Sequence, residues 1–102
     1  MFKIIKVTGK SLSPFFLPGD FVLIWKRNSS FRSLSAGSTI VFDHPVYGRM
    51  IKRIESNDPE SRTLVVFGDH EDSISSKKLG PIPYSSVLGK VIYHIKQERN
   101  QN

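Results

Sequence analysis

A chain of 102 residues, 38% of them hydrophobic, with a formal charge of +6 and no cysteine, reads as one small domain rather than two. The lack of cysteine excludes a disulfide framework, a thiolate nucleophile and cysteine-bound zinc. The longest apolar run, Phe21 to Trp25, falls far short of the roughly 20 residues that a membrane-spanning helix requires.

The opening Met1-Phe2-Lys3-Ile4-Ile5-Lys6-Val7 is interrupted by lysines and does not read as a secretory leader, so the expectation is a cytoplasmic protein. Short β-branched and aromatic runs then recur between Gly, Pro, Ser and Asn, and helical periodicity is scarce. In chain order the expected strands lie near Lys3 to Val7, Asp20 to Lys26, Ser38 to Asp43, Gly48 to Glu55, Thr63 to Phe67 and Val87 to Ile95. Pro14, Pro18 and Gly19 punctuate the chain before the second strand, and Asn57 to Ser61 reads as a turn. Residues 97–102 form a polar tail with little to bury, which leaves 1–96 as a single mostly β domain.

Ser11 stands in Thr8-Gly9-Lys10-Ser11-Leu12-Ser13-Pro14, a Gly- and Pro-bounded turn after a strand. Such a turn can present a hydroxyl beside free backbone N–H groups, although serine is common in turns for its local hydrogen bonds alone. Strand alternation places Met50, Lys52 and Ile54 on one face of the fourth strand and Arg49, Ile51 and Arg53 on the other. A lysine between apolar neighbours is desolvated, which favours the neutral amine needed to take a proton from serine; an edge lysine snorkelling to solvent gives the same pattern. His44 and His70 each follow an aspartate, but neither they nor His94 show metal-ligand spacing or the mark of a base. Phosphate-binding and dinucleotide signatures are absent.

Taken in order, Gly9-Lys10-Ser11-Leu12-Ser13-Pro14, Gly19-Asp20-Phe21-Val22-Leu23-Ile24, Ile40-Val41-Phe42, Ile51-Lys52-Arg53, Gly68-Asp69-His70, Gly80-Pro81-Ile82-Pro83 and Leu88-Gly89-Lys90-Val91 resemble the type I signal peptidase family across nearly the whole chain. The resemblance implies a compact, mostly β catalytic core of the signal peptidase/LexA type, with Ser11 as nucleophile and Lys52, 41 residues later, as general base. It assigns the oxyanion to the backbone N–H of Ser11. The second donor, a side-chain hydroxyl in some relatives, falls at Gly9 and is missing, and Ser73 resembles the serine that hydrogen-bonds the lysine in relatives, with Ser75 and Ser76 as alternatives because the chain is one residue shorter there. Phe15, Phe16 and Ile51 are candidates for lining substrate pockets, with core packing as the alternative.

The chain departs from the family pattern at Leu12, Phe15, His70 and Ser75-Ser76-Lys77, where relatives carry Met, Thr, Asn and Asp-Ser-Arg. It lacks the family's N-terminal anchor, and the fifteen residues between Lys52 and Gly68 leave no room for the large inserted β domain. In both respects it is similar to the proteases that mature nickel-type superoxide dismutase by removing an N-terminal propeptide, which implies an extended peptide substrate, action in solution and no cofactor. The alternatives are signal peptidase I-like processing of secretory precursors and a self-cleaving LexA-like domain. From another class comes a basic β-barrel binding single-stranded nucleic acid through stacked aromatics, which leaves the ordered blocks unexplained, so no nucleic-acid partner is expected.

Overall fold

The computed structural model describes residues 1–7, 19–26, 31–67 and 76–96, with Ser76 and Lys77 by backbone alone. They supply seven strands: β1 (Phe2–Lys6), β2 (Phe21–Trp25), β3 (Thr39–His44), β4 (Gly48–Asp58), β5 (Thr63–Phe67), β6 (Ile82–Pro83) and β7 (Val87–Ile95). All join one antiparallel sheet in the order β1-β2-β7-β3-β4-β5-β6, so β1 and β6 are its edges. Among the described residues helix is confined to α1 (Ser76–Leu79) and two 3-10 turns, Phe31–Ser33 and Tyr84–Ser86. The fold is therefore mostly β. Among the described residues no helix is long and apolar enough to cross a membrane.

Two buried clusters lie on opposite faces of the central strands. Ile5 and Val7, Val22 and Ile24, Val41, and Ile51 gather at the β1–β2 end. Ile40, Phe42, Met50, Ile54, Leu64 and Val66 pack with Leu79, Ile82 and Val87 at the β5–β6 end. The pairs Ile40↔Lys52, Val41↔Ile51 and Phe42↔Met50 explain the division, because directly paired residues share a face and successive ones alternate. Covered on both sides, β3 and β4 lose the alternation of apolar and polar residues that a half-exposed strand keeps. Ile40-Val41-Phe42 and Met50-Ile51-Lys52 are each buried without interruption.

Five of the six expected strands lie within a residue of their expected bounds, and the sixth differs at its end. β4 continues through Glu55 to Asp58 because its pairing with β5 shifts register between Ile54 and Ser56, a bulge that absorbs one extra residue. Asn57 then belongs to the strand, and its amide donates to the Phe31 and Leu34 carbonyls (2.9 Å each) while its oxygen accepts the Tyr84 hydroxyl. That side chain pins the β2–β3 connection against the end of β4. The turn begins at Pro59, where Asp58 accepts the Glu60 amide, and closes at Arg62 with φ 56°. β6 was not expected, since a lone Ile82 between Pro81 and Pro83 carries no strand signal; as an edge strand it tolerates Pro83.

Gly89 fixes how closely β2 approaches β7. A Cβ there would sit 2.8 Å from the Trp25 carbonyl oxygen and 3.1 Å from Ile24 Cδ1.

Candidate active site

Lys52 occupies the middle of β4, opposite Ile40, on the face it shares with Met50 and Ile54. Its solvent exposure is 0%, which places it among the largest fully buried side chains of the protein. The alternation read from the sequence holds for this face, and the lysine is interior to the sheet, so its amine does not snorkel to water. Removing the amine from water penalises the ammonium form, the direction in which a lysine must shift to act as a base. On the opposite face Arg49 is exposed and forms a 3.0 Å ion pair with Asp43, whose hydrogen bond raises the Arg49 guanidinium above its usual range. Ile51 is buried in the cluster of the β1–β2 end, packed with Val7 and Val41.

The chain enters the segment carrying Ser11 from Val7 and leaves it into Gly19. The two ends are clamped: the Val7 amide donates to the Asp20 carbonyl (2.7 Å), and the Gly19 amide donates to that of Val7 (3.1 Å). Val7 belongs to the same buried cluster as Ile51, the residue adjoining Lys52. The base of that segment and the lysine's strand are therefore joined through one core. Ser11 itself, Gly9, Phe15, Phe16 and Ser73 lie outside the described residues, as do Leu12, His70, Ser75 and the 97–102 tail.

The Asp20 carboxylate, at the exit of the Ser11 segment, is fully buried, and its Oδ2 lies 2.8 Å from Nε2 of His94 on β7. This contact ties the start of β2 to the neighbouring strand. Sequence reasoning quoted Asp20 only within a motif and left His94 without a role. The two are 74 residues apart, and no local pattern announces the pairing, which follows from the β2–β7 register Val22↔His94.

His44 is committed elsewhere. Its Nδ1 accepts the Val46 and Tyr47 amides at 3.0 and 3.3 Å, so the ring proton resides on Nε2, which donates to the Leu79 carbonyl at 3.1 Å. Both ring nitrogens are used in holding the β3–β4 turn against α1, so His44 is a structural residue with no nitrogen left for catalysis. The resulting wall, with Pro45, Pro81, Ile82 and Ser86, lines a cavity of about 250 Å³.

No protein-family model matches the chain, and neither the curated proteins nor the solved structures include a match. The functional assignment therefore rests on the chain's own residues.

Proposed function

We propose that this chain is a cytoplasmic serine endopeptidase working through a Ser11–Lys52 dyad, and that it removes an N-terminal propeptide from a partner protein, with nickel superoxide dismutase precursor as the expected substrate. The observation that carries this reading is the complete burial of Lys52 on β4, an interior strand of the sheet. Lysine is almost never fully buried unless paired, and an aliphatic side chain fills a β core at lower desolvation cost, so a buried amine on this face points to a role beyond packing. A neutral, sequestered lysine is what a serine hydroxyl needs as its base.

In the proposed reaction, Lys52 Nζ takes the Ser11 hydroxyl proton as Ser11 Oγ attacks the scissile carbonyl. The tetrahedral oxyanion is met by the Ser11 backbone N–H, and Lys52 returns the proton to the leaving amine. Water then attacks the acyl-enzyme ester as Lys52 accepts its proton, and on collapse of the second tetrahedral intermediate Lys52 passes that proton to Ser11 Oγ, which leaves as the restored hydroxyl beside a neutral Lys52. No metal or redox cofactor enters these steps. An extended peptide can dock by strand addition at an open sheet edge, and β1 provides the longer of the two edges.

Purified Ser11→Ala and Lys52→Ala proteins should each fail to trim the precursor while keeping the β-sheet circular dichroism of the parent; trimming by Ser11→Ala at the parent rate refutes the dyad. Mass spectrometry of the products identifies the substrate. A single cut at the junction of propeptide and mature dismutase supports the assignment, whereas an untouched precursor beside efficient cutting of a secretory precursor transfers it to a signal peptidase-type role. A second reading draws on the 2.8 Å Asp20–His94 contact at the exit of the Ser11 segment, an acid–imidazole pair of the kind that serves a histidine base. Under that reading Lys52→Ala retains activity and His94→Ala loses it.

A further inference from the structure

The cavity of about 250 Å³ lies where the β3–β4 turn stands beside the edge strand β6. Leu79 and Ile82, both buried in the cluster of the β5–β6 end, supply its apolar lining. Three of the chain's six prolines, Pro45, Pro81 and Pro83, line it as well, and all three are exposed. Proline has a fixed φ and no backbone N–H, so this rim is stiff and gives an added strand no donor at Pro81 or Pro83. His44 braces one wall by donating to the Leu79 carbonyl at 3.1 Å. The cavity is thus built into the fold, and it suits a small molecule better than an extended peptide.

Its charge has one sign in a chain of the opposite sign. Among the described residues no lysine or arginine lines the cavity, although the chain has fifteen, and the Asp43 carboxylate stands at it instead. Arg49 takes one bond from each Asp43 oxygen, at 3.0 and 3.4 Å, which leaves room among the roughly four lone-pair positions for a second donor. Both ring nitrogens of His44 are occupied, and Ser86 adds a hydroxyl. An anion would meet the carboxylate with no lining cation to receive it, and a purely apolar molecule would leave the carboxylate and the hydroxyl unused. An ammonium on a short arm answers them. The apolar remainder favours an aromatic ring, because the electron-poor C–H groups of proline pack on the electron-rich ring face. The volume lies just below the ~300 Å³ at which sites for larger ligands begin, which admits one ring system and its arm.

We propose that the cavity between the β3–β4 turn and β6 binds a small arylalkylamine, its ring against the prolines, Leu79 and Ile82 and its ammonium on the Asp43 carboxylate. Neither Ser11 nor Lys52 takes part, so this site and the proposed peptidase stand or fall separately.

The test is a titration of the full chain, followed by nuclear magnetic resonance, with three probes: tryptamine, indole-3-propionate with the same ring and the opposite charge, and butylamine with the charge and no ring. Tryptamine should shift the Leu79 and Ile82 methyl and Ser86 amide resonances saturably, with a Kd of the order of a millimolar as befits so small a ligand. The other two probes should bind about tenfold or more weakly. Asp43→Asn, an exposed substitution, should weaken tryptamine several-fold and narrow its advantage over indole-3-propionate. Ser86→Leu, which fills the cavity, should abolish the shifts with circular dichroism unchanged. The absence of saturable shifts at Leu79, Ile82 and Ser86 overturns the proposal. So does equal binding of tryptamine and indole-3-propionate, or a tryptamine affinity that Asp43→Asn leaves unaltered.

Discussion

Gly89→Ala is the most direct test of how β2 and β7 are held together. The added methyl would fall 2.8 Å from the Trp25 carbonyl oxygen, 3.1 Å from the Trp25 carbonyl carbon and 3.1 Å from Ile24 Cδ1. A Cβ needs more than 3 Å, so a backbone atom must retreat by a few tenths of an ångström, and here it belongs to the strand paired at Trp25↔Lys90. Ile24, fully buried in the cluster below, has little space to yield. Overpacking of this kind costs about 1–3 kcal/mol, offset by roughly 0.4–1 kcal/mol from the reduced freedom of the unfolded chain. The net loss of roughly 1–2 kcal/mol corresponds to a fall in Tm of roughly 5–15 °C for a domain of this size. Thermal and urea unfolding followed by circular dichroism measure it. Gly48→Ala is the control: nothing lies within 4 Å of its Cβ, but φ is +78°, so its cost is conformational. Asparagine should therefore recover stability at 48, where it tolerates positive φ, and worsen it at 89, where it adds bulk. A Gly89→Ala protein as stable as the parent, or equal recovery by asparagine at both positions, refutes the close approach of the two strands.

Asn57→Ala should cost about 2–3 kcal/mol in urea unfolding, since it removes at once the amide shared by the Phe31, Arg32 and Leu34 carbonyls and the acceptor of the Tyr84 hydroxyl, and Tyr84→Phe about 1 kcal/mol. Their double-mutant cycle should show non-additivity, because the two side chains share a hydrogen bond. Asp43→Asn should change stability by no more than about 0.5 kcal/mol, the exposed pair with Arg49 being screened by water. The hydrogen bond to Asp43 raises the Arg49 guanidinium above its ordinary range, so its stabilisation is fully present at any lower pH and this small effect should not vary between mild acid and mild alkali. For peptidase activity, a Lys52 base requires the neutral amine, so the cleavage rate should rise with pH; a flat profile from mild acid to alkali rejects it.

The strands were legible because each is a short β-branched run between turn residues, and Gly48 to Ile54 showed its lysine-bearing face through alternation alone. What remained hidden was cooperative. The continuation of β4 to Asp58 depends on a bulge and on Asn57 reaching back to Phe31 and Leu34, contacts between parts of the chain that sequence proximity does not join. β6 exists because Ile82 and Pro83 happen to complete an edge beside β5.

The same distinction separates the parts of the candidate site. Lys52 could be singled out because burial of a charged residue violates a local rule, and a violation is visible wherever its apolar neighbours Met50 and Ile54 define the face. Ile51 obeys the rule, and its packing beside Val41 and Val7 is the ordinary consequence of a strand covered on both sides. Asp20 and His94 break no local pattern: an acid before a strand and a histidine within one are common, and only the antiparallel register of β2 with β7 brings them within 2.8 Å. The lysine thus identifies itself by composition and period, whereas the acid–imidazole contact is a product of topology. The exposed face of β1, β2 and β7, which carries Phe2, Ile4 and Tyr93, is intermediate. Its residues read as strand formers suited to a core, and the sheet order, by leaving β1 at an edge and burying only one side of these strands, turns them outward.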